Sequence, residues 1–245
     1  MPTRREFLGS SFAALPAAWY RQPGPSGGAP SGLHVVAVGG HPDDPETGCG
    51  GTLARASAAG HRVTVVYLTR GERGIDGATL EAAARTRTAE AENACRILGA
   101  APVFAGQIDG ATEYSGAQAE GFATLLRGLS PDVVLTHWPI DTHADHQVAS
   151  LLAFRAWLAL AQRFTLCYFE VNAGEQTRGF APTDYVDITP VAAIKRRAVL
   201  AHVSQGGDVI MRDYHDPMAS FRGREIGVSA AEAFVRLTGH QAVLP

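Results

Sequence analysis

The chain has 245 residues, 46% of them apolar and 18% charged, and carries a formal net charge of −3. That composition excludes a disordered or collagen-like chain, and 21 basic against 24 acidic residues gives no general attraction to nucleic acid or an anionic membrane. Three cysteines are too few for a disulfide framework.

Residues 1–32 differ in kind from the rest. Arg4-Arg5 precede a weakly apolar run from Phe7 to Trp19, and a Pro/Gly/Ser stretch follows from Gln22 to Gly32. The run is shorter than the ~20 apolar residues a spanning helix needs, so no stable membrane span is expected. A basic start, a short apolar middle and small residues after it fit an export signal, and Thr3-Arg4-Arg5-Glu6-Phe7-Leu8 resembles the twin-arginine type. The expectation is a signal and linker over 1–32, recognised by the twin-arginine export machinery. One catalytic domain over 33–245 would then act in the periplasm or outside the cell.

From Leu33 onward strands and helices alternate. LHVVAVG (33–39) reads as a buried strand, Glu46 to Ala59 as a helix, and RVTVVYLT (62–69) as a second strand. The loop 71–77 leads to a helix over 80–98, whose apolar residues recur at helical spacing up to Gly99. PVFAG (102–106), a helix over 117–129 and DVVLTHW (132–138) follow. A helix over 144–162, a strand over 164–171, a helix over 190–203 and a last helix over 229–239 complete the chain. Residues 206–227 read as a polar, Gly-rich stretch, and His34, His61, His215 and His240 as surface or loop residues. The alternation predicts βαβ units, hence an α/β, Rossmann-like three-layer sandwich around a mostly parallel sheet.

Ligands of such sheets bind beyond the carboxyl ends of the strands, where the winding reverses. With a strand order 3-2-1-4, strands one and four flank that crevice. His41-Pro42-Asp43-Asp44-Pro45-Glu46 follows the first, and Asp141-Thr142-His143-Ala144-Asp145-His146 follows the fourth. Imidazoles and carboxylates gathered there suit a divalent metal with an open position for water. The glycines of ETGCGGT sit beside too many carboxylates to cradle a pyrophosphate, and read instead as a close helix–sheet contact. Cys49, Cys95 and Cys167 read as core thiols, and His137, at the end of its strand, as a support to the site.

These residues carry a family resemblance. HPDDPETGCGGT (41–52) resembles the HPDD-x-E…GGT signature of the PIG-L / LmbE-like de-N-acetylases, and DTHADH (141–146) its second motif, with Ala144 where proline is commoner. In order along the chain, LTRGERG (68–74), Arg87 and Glu90, and Asp109-Gly110 are similar to further motifs of that family. Lys195, Ala198, His202, Ser204 and Gln205, and lastly Glu232 and Phe234, are similar to its late ones. The resemblance spans residues 33–237.

The resemblance implies a metal-dependent hydrolase that removes acetyl from an N-acetylglucosaminyl-type substrate, a small molecule or glycan. One divalent metal ion, zinc foremost, would be held by His41, Asp44 and His146. Asp43 would be the general base, His143 a protonated imidazole serving the oxyanion or the leaving nitrogen, and Asp145 the group that holds a neighbouring imidazole. Arg87, Asp109, Asp141, His202 and Gln205 would contact substrate, Asp141 standing where some relatives have tyrosine. The same centre also fits another acyl amide or ester, or a relative that only binds sugar or metal. A base left outside the ligand set argues against the last. The substrate's identity, the native metal and the oligomeric state are not legible in the sequence.

Overall fold

The computed structural model describes residues 32–237. The expected twin-arginine leader lies outside the described residues save for Gly32, as does His240. Among the described residues no helix is long and apolar enough to cross a membrane.

Seven strands form one sheet: β1 (His34–Gly39), β2 (Arg62–Tyr67), β3 (Ala101–Phe104), β4 (Val133–His137), β5 (Thr165–Phe169), β6 (Asp184–Asp187) and β7 (Ala231–Leu237). Their order is β3-β2-β1-β4-β5-β7-β6. The first five are parallel, and β7 runs antiparallel to both β5 and β6. The winding therefore reverses between β1 and β4, as the 3-2-1-4 order requires. Helices α1 (Asp44–Ala58), α2 (Leu80–Leu98) and α5 (Ala192–Leu200) pack together, and α3 (Gly116–Leu129) packs on α4 (Ala144–Ala159). With helices on both faces, β1 is buried along its whole length. Val36, Val38, Val66, Val134 and Leu166 meet Phe122, Leu126, Leu152 and Trp157 in the core. All three cysteines are buried and unpaired, as expected.

The glycines of ETGCGGT serve packing. A Cβ on Gly48 would lie 2.3 Å from the Phe169 ring, and one on Gly51 2.6 Å from Ile188. Between them the helix breaks at Cys49 (φ −144°). The N–H groups of Gly51 and Thr52, exposed by that break, donate to the Glu232 carboxylate at 2.8 and 2.7 Å. Lys195 Nζ, 2.7 Å from the same carboxylate, balances its charge. A carboxylate at a helix start is favoured by the backbone dipoles; here it arrives from the far end of the chain.

Several expectations are corrected. The helix expected over 229–239 is not formed where the structure describes it; Ala231–Leu237 is strand β7. Its Ala-rich run has good helix propensity, but as a strand it satisfies backbone groups of β5 on one side and β6 on the other, and tertiary pairing outweighs propensity. Strand β6, short and half-buried, has no alternation strong enough to announce it. The stretch 206–227 is helical: α6 (Gly207–Ile210), a π-helical turn over Met211–His215, and α7 (Asp216–Ile226). His34 and His215 are not on the surface but 3% and 0% exposed. His34 is held by the Leu129 carbonyl at 2.7 Å and the Thr64 hydroxyl at 2.8 Å.

Candidate active site

The loops leaving β1 and β4 bring their residues together at the carboxyl edge of the sheet, around a cavity of about 380 Å³. His41, Asp43, Asp44, His143 and His146 all line it, as do Asp109, Arg87 and Gln205. Close backbone approach makes this possible: a Cβ on Gly40 would sit 3.0 Å from the His146 ring.

Three donors converge. His41 Nδ1 is 3.2 Å from Asp44 Oδ2, His146 Nε2 is 3.3 Å from Asp44 Oδ1, and the two nitrogens are 3.3 Å apart. The far nitrogen of each ring is engaged by carboxylates. His41 Nε2 lies 2.9 Å from Asp145 and 3.2 Å from Asp109, and His146 Nδ1 lies 3.2 Å from Asp141. Those nitrogens therefore carry the protons, and the two that face each other and Asp44 present lone pairs. Lone pairs and carboxylate oxygens facing one another in a buried place repel unless a cation, a metal ion or a proton, sits among them. The donor set fits a divalent metal in its chemistry.

Donor atoms within 4.8 Å of one another group as His41, His143 and His146, as Asp44, His137 and His146, and as His41, Asp109 and Asp145. The expected set draws on the first two, whose His137 and His143 rings each have a nitrogen already engaged. His137 Nε2 accepts the Gly40 N–H at 3.1 Å, and burial lowers the His137 pKa to about 4, so the ring is neutral with its lone pair spent. It stacks on His146 with ring centres 3.9 Å apart, in the supporting place expected of it.

The electrostatics favour positive charge at the centre. Burial opposes protonation of His41, yet Asp109, Asp145 and Asp44 hold its pKa well above the ordinary imidazole value. Against the same opposition Asp44 and Asp141 raise His146 to about 9. Burial would raise the carboxyls of Asp44, Asp109, Asp141 and Asp145, but in each case imidazole partners bring them below the usual range. Gly110 N–H at 2.8 Å and the Thr112 hydroxyl at 2.5 Å also fix Asp145.

Asp43 stands apart from the donors. It is the residue before α1, yet its side chain makes no cap to the helix, and its backbone is in the left-handed region at φ 115°. Such strain in a non-glycine residue persists only where surrounding contacts enforce it. Arg87 does so: its Nη2 lies 3.1 Å from Asp43 Oδ2 and also donates to the Pro42 carbonyl. Burial raises the Asp43 carboxyl above its usual value, with Arg87 opposing. Arg87, 3% exposed, thus directs its guanidinium at Asp43 from the wall of the cavity. Gly71 and Gly74 make room for it, since a Cβ on either would come within 2.3 Å of Nη1.

His143 caps α4 with its ring: Nδ1 accepts the Asp145 N–H at 3.2 Å. An accepting nitrogen carries no proton, so the ring is neutral with its proton on Nε2. Burial, with the positive neighbours His41 and His146, lowers its pKa. Where the sequence reading expected an imidazolium, the helix-cap contact at Nδ1 leaves Nε2 as the ring's donor.

Of the expected substrate contacts, Gln205 lines the cavity, its Nε2 tied to the Gly74 carbonyl at 2.9 Å. Glu90 anchors it by binding the neighbouring Ser204 N–H at 2.7 Å and hydroxyl at 2.6 Å. Two others do not face the cavity. His202 is fully buried with Nε2 3.6 Å from Glu46, in the layer beneath the site. Asp141 has a fully covered side chain and lies behind His146, where it orients that ring. Asp109 reaches the cavity but turns to His41. Sequence reasoning missed Val171, Asn172, Gln176 and Ile210, which complete the wall. The turn residues Asn172 and Gly174, at the carboxyl end of a strand, were the available signal.

Comparison with known proteins agrees with this picture. Residues 36–157 match the family model described as PIG-L, GlcNAc-PI de-N-acetylase. The chain is 30% identical over 187 residues to a diacetylchitobiose deacetylase of Thermococcus kodakarensis, covering 70% of this chain and 69% of that protein. It is 28% identical over 234 residues to a 4-oxalmesaconate hydratase of Pseudomonas putida, covering 86% and 89% respectively. Its fold is similar to that of N,N'-diacetylchitobiose deacetylase from Pyrococcus horikoshii, with TM-score 0.73, 26% identity and 84% of each chain covered.

Proposed function

Because the chain belongs to the GlcNAc-PI de-N-acetylase (PIG-L) family, we propose that it removes the acetyl group from an N-acetylglucosaminyl-type glycan or glycoconjugate by metal-dependent hydrolysis. The products are acetate and a free amine. The observation that carries this reading is the pairing of a buried, cation-seeking donor set with an unligated carboxylate, Asp43, on the same cavity wall.

In this reading His41 Nδ1, Asp44 and His146 Nε2 are the metal ligands. A divalent cation there, zinc foremost, supplies Lewis acidity that polarises an amide carbonyl and lowers the pKa of a water toward 7. Asp145 and Asp109 hold His41 by its Nε2–H, and Asp141 holds His146 by its Nδ1–H, fixing both tautomers. Asp43 takes the proton of the attacking water, kept ionised by Arg87 against the cost of burial. His143 Nε2–H donates to the carbonyl oxygen as negative charge gathers on it. Asp43 then returns its proton to the departing nitrogen, so the C–N bond breaks to an amine rather than an amide anion.

A second reading, addition of water to a double bond of an acidic substrate, is favoured by the similarity to 4-oxalmesaconate hydratase. Hydrolysis of another acyl amide or ester would use the same residues. The test is acetate release from a panel of N-acetylglucosaminyl compounds, with metal analysis on the same sample. Hydrolysis with bound metal is the expected result, and Asp43→Asn should abolish it while the metal stays. Water uptake by an unsaturated polycarboxylate without acetate release would favour the second reading. We further read residues 1–32 as a twin-arginine signal that exports the folded enzyme. Changing Arg4 and Arg5 together to lysine should leave the precursor in the cytoplasm.

A further inference from the structure

Val171, Asn172, Gln176 and Ile210 form one wall of the cavity and take no part in the steps above. Residues 171–177 leave β5 as a tight turn. Glu175 and Gln176 N–H both donate to the Asn172 carbonyl at 3.0 Å, and Thr177 Oγ1 donates to the Val171 carbonyl at 2.9 Å. Thr142 N–H, next to Asp141, donates to the Gln176 carbonyl at 3.2 Å, tying the turn to the loop that carries His143 and His146. Asn172 holds φ 40°, in the left-handed region. Behind it lies His215, fully buried in the π-helical turn, a feature that recurs at functional sites.

A hydrogen-bond chain runs from that histidine to the cavity. His215 Nε2 is 3.0 Å from Asn172 Oδ1, and Asn172 Nδ2 donates to Gln176 Oε1 at 2.9 Å. Burial lowers the His215 pKa to about 3, so the ring is neutral. Nδ1 is buried without a hydrogen-bond partner among the described residues, a place that tolerates a lone pair better than an N–H. The one proton therefore lies on Nε2, facing the amide oxygen. His215 thereby decides the orientation of both amides. Without a donor behind Asn172, the two carboxamides can turn over together at no cost in mutual hydrogen bonds. With it, Asn172 must present Nδ2 and Gln176 must present Oε1 to each other. The amide N–H groups of Gln176 then have no acceptor among the described residues.

We propose that Gln176 is a specificity-determining residue whose amide N–H groups donate to a hydroxyl or ether oxygen of the sugar, with Asn172 and His215 as the positioning residues that set this polarity. The inference rests on the reading of the substrate as an N-acetylated sugar.

The test is steady-state acetate release from an N-acetylglucosaminyl compound and its monodeoxy derivatives, with metal content measured throughout. Gln176→Ala should raise KM about three- to tenfold, the range of one hydrogen bond, with kcat within twofold and metal unchanged. For the one derivative that lacks the oxygen concerned, wild type and Gln176→Ala should have the same KM. His215→Leu should raise KM as Gln176→Ala does on the parent compound, but not on the derivative that lacks the oxygen concerned. An unchanged KM in Gln176→Ala on every compound overturns the inference and leaves the deacetylase reading intact. So does a His215→Leu variant whose KM rises equally on the parent compound and on that derivative. If the wild type releases no acetate, the deacetylase reading falls, and calorimetric binding of N-acetylglucosamine decides the inference instead. Weaker binding by Gln176→Ala supports it; equal binding, or none by the wild type, overturns it.

Discussion

Arg87 Nη2 lies 3.1 Å from Asp43 Oδ2, in a slot that Gly71 and Gly74 leave open. Three separate motifs of the sequence meet in that one contact: the acidic loop after β1, the Gly-x-x-Gly loop after β2, and the Arg on α2. It holds a strained residue in place and keeps a desolvated carboxylate ionised.

Arg87→Ala removes the strongest opposing charge on Asp43 among the described residues. Burial already raises the Asp43 carboxyl, so losing Arg87 raises it further, and the base ionises only at higher pH. The acidic limb of the kcat/KM profile should move up by roughly one to three units, with kcat lower at neutral pH. A profile that keeps its acidic limb would remove Arg87 from this role.

Gly74→Val reaches the same end from outside the charged cluster. Its Cβ would lie 2.3 Å from Arg87 Nη1, and the flexible guanidinium must give way. Activity should fall as in Arg87→Ala while the melting temperature changes little, as read by paired kinetics and thermal unfolding. Full activity in Gly74→Val would show that the guanidinium can move without consequence.

Glu232 joins β7 to the broken helix α1. Glu232→Ala strips two helix N–H groups of their acceptor and leaves Lys195, 2% exposed, uncompensated. Breaking a buried pair from one side costs about 3–5 kcal/mol, measurable by denaturant unfolding. Combining it with Lys195→Met should recover part of the loss; a double variant less stable than Glu232→Ala alone would contradict this account.

Metal removal should weaken the fold as well as the chemistry. A ligand bound only by the native state raises its melting temperature, and a chelator removes that contribution. A drop of several degrees, reversed by zinc, is expected for the wild type and for Asp43→Asn. His41→Ala and His146→Ala should show neither effect.

His215 gives the stability a pH dependence. Its folded pKa, lowered by burial to about 3, lies below the 6.5 of the unfolded chain. Between those values the unfolded state binds the proton and the folded state does not, so stability is full above about pH 6.5 and falls as pH drops toward 3. His215→Gln has no such proton to bind, and its melting temperature should decline less over that window than the wild type's. Parallel declines would assign the acid sensitivity elsewhere.

The order of strands and helices from β1 to α5, and the two loops that carry the donors, were readable along the chain. Val35 to Val38 and Val133 to Leu135 are continuous apolar runs and Val63 to Val66 is interrupted only by Thr64, and such runs separated by helical spacing point to a parallel sheet. The clusters at 41–46 and 141–146 could be picked out because chemistry-bearing residues right after strands one and four have a single place to go; the family resemblance alone singled out His41, Asp44 and His146 within them. The readings that failed depended on partners distant in sequence. Ala231–Leu237 has the composition of a helix, and only the open edges of β5 and β6 make it a strand. His215 looked like a surface residue because nothing nearby in sequence tells of Asn172, 43 residues earlier.

Local sequence thus determined which elements form and which residues could do chemistry, since periodicity and side-chain type act within a few residues. Tertiary structure alone decided what each of those residues does. Asp141 pairs with His146, Arg87 pairs with Asp43, His143 accepts at Nδ1 and His202 lies beneath the site. Protonation and orientation are set by burial and by the nearest hydrogen-bond partner, and in a doubly wound sheet that partner comes from another loop.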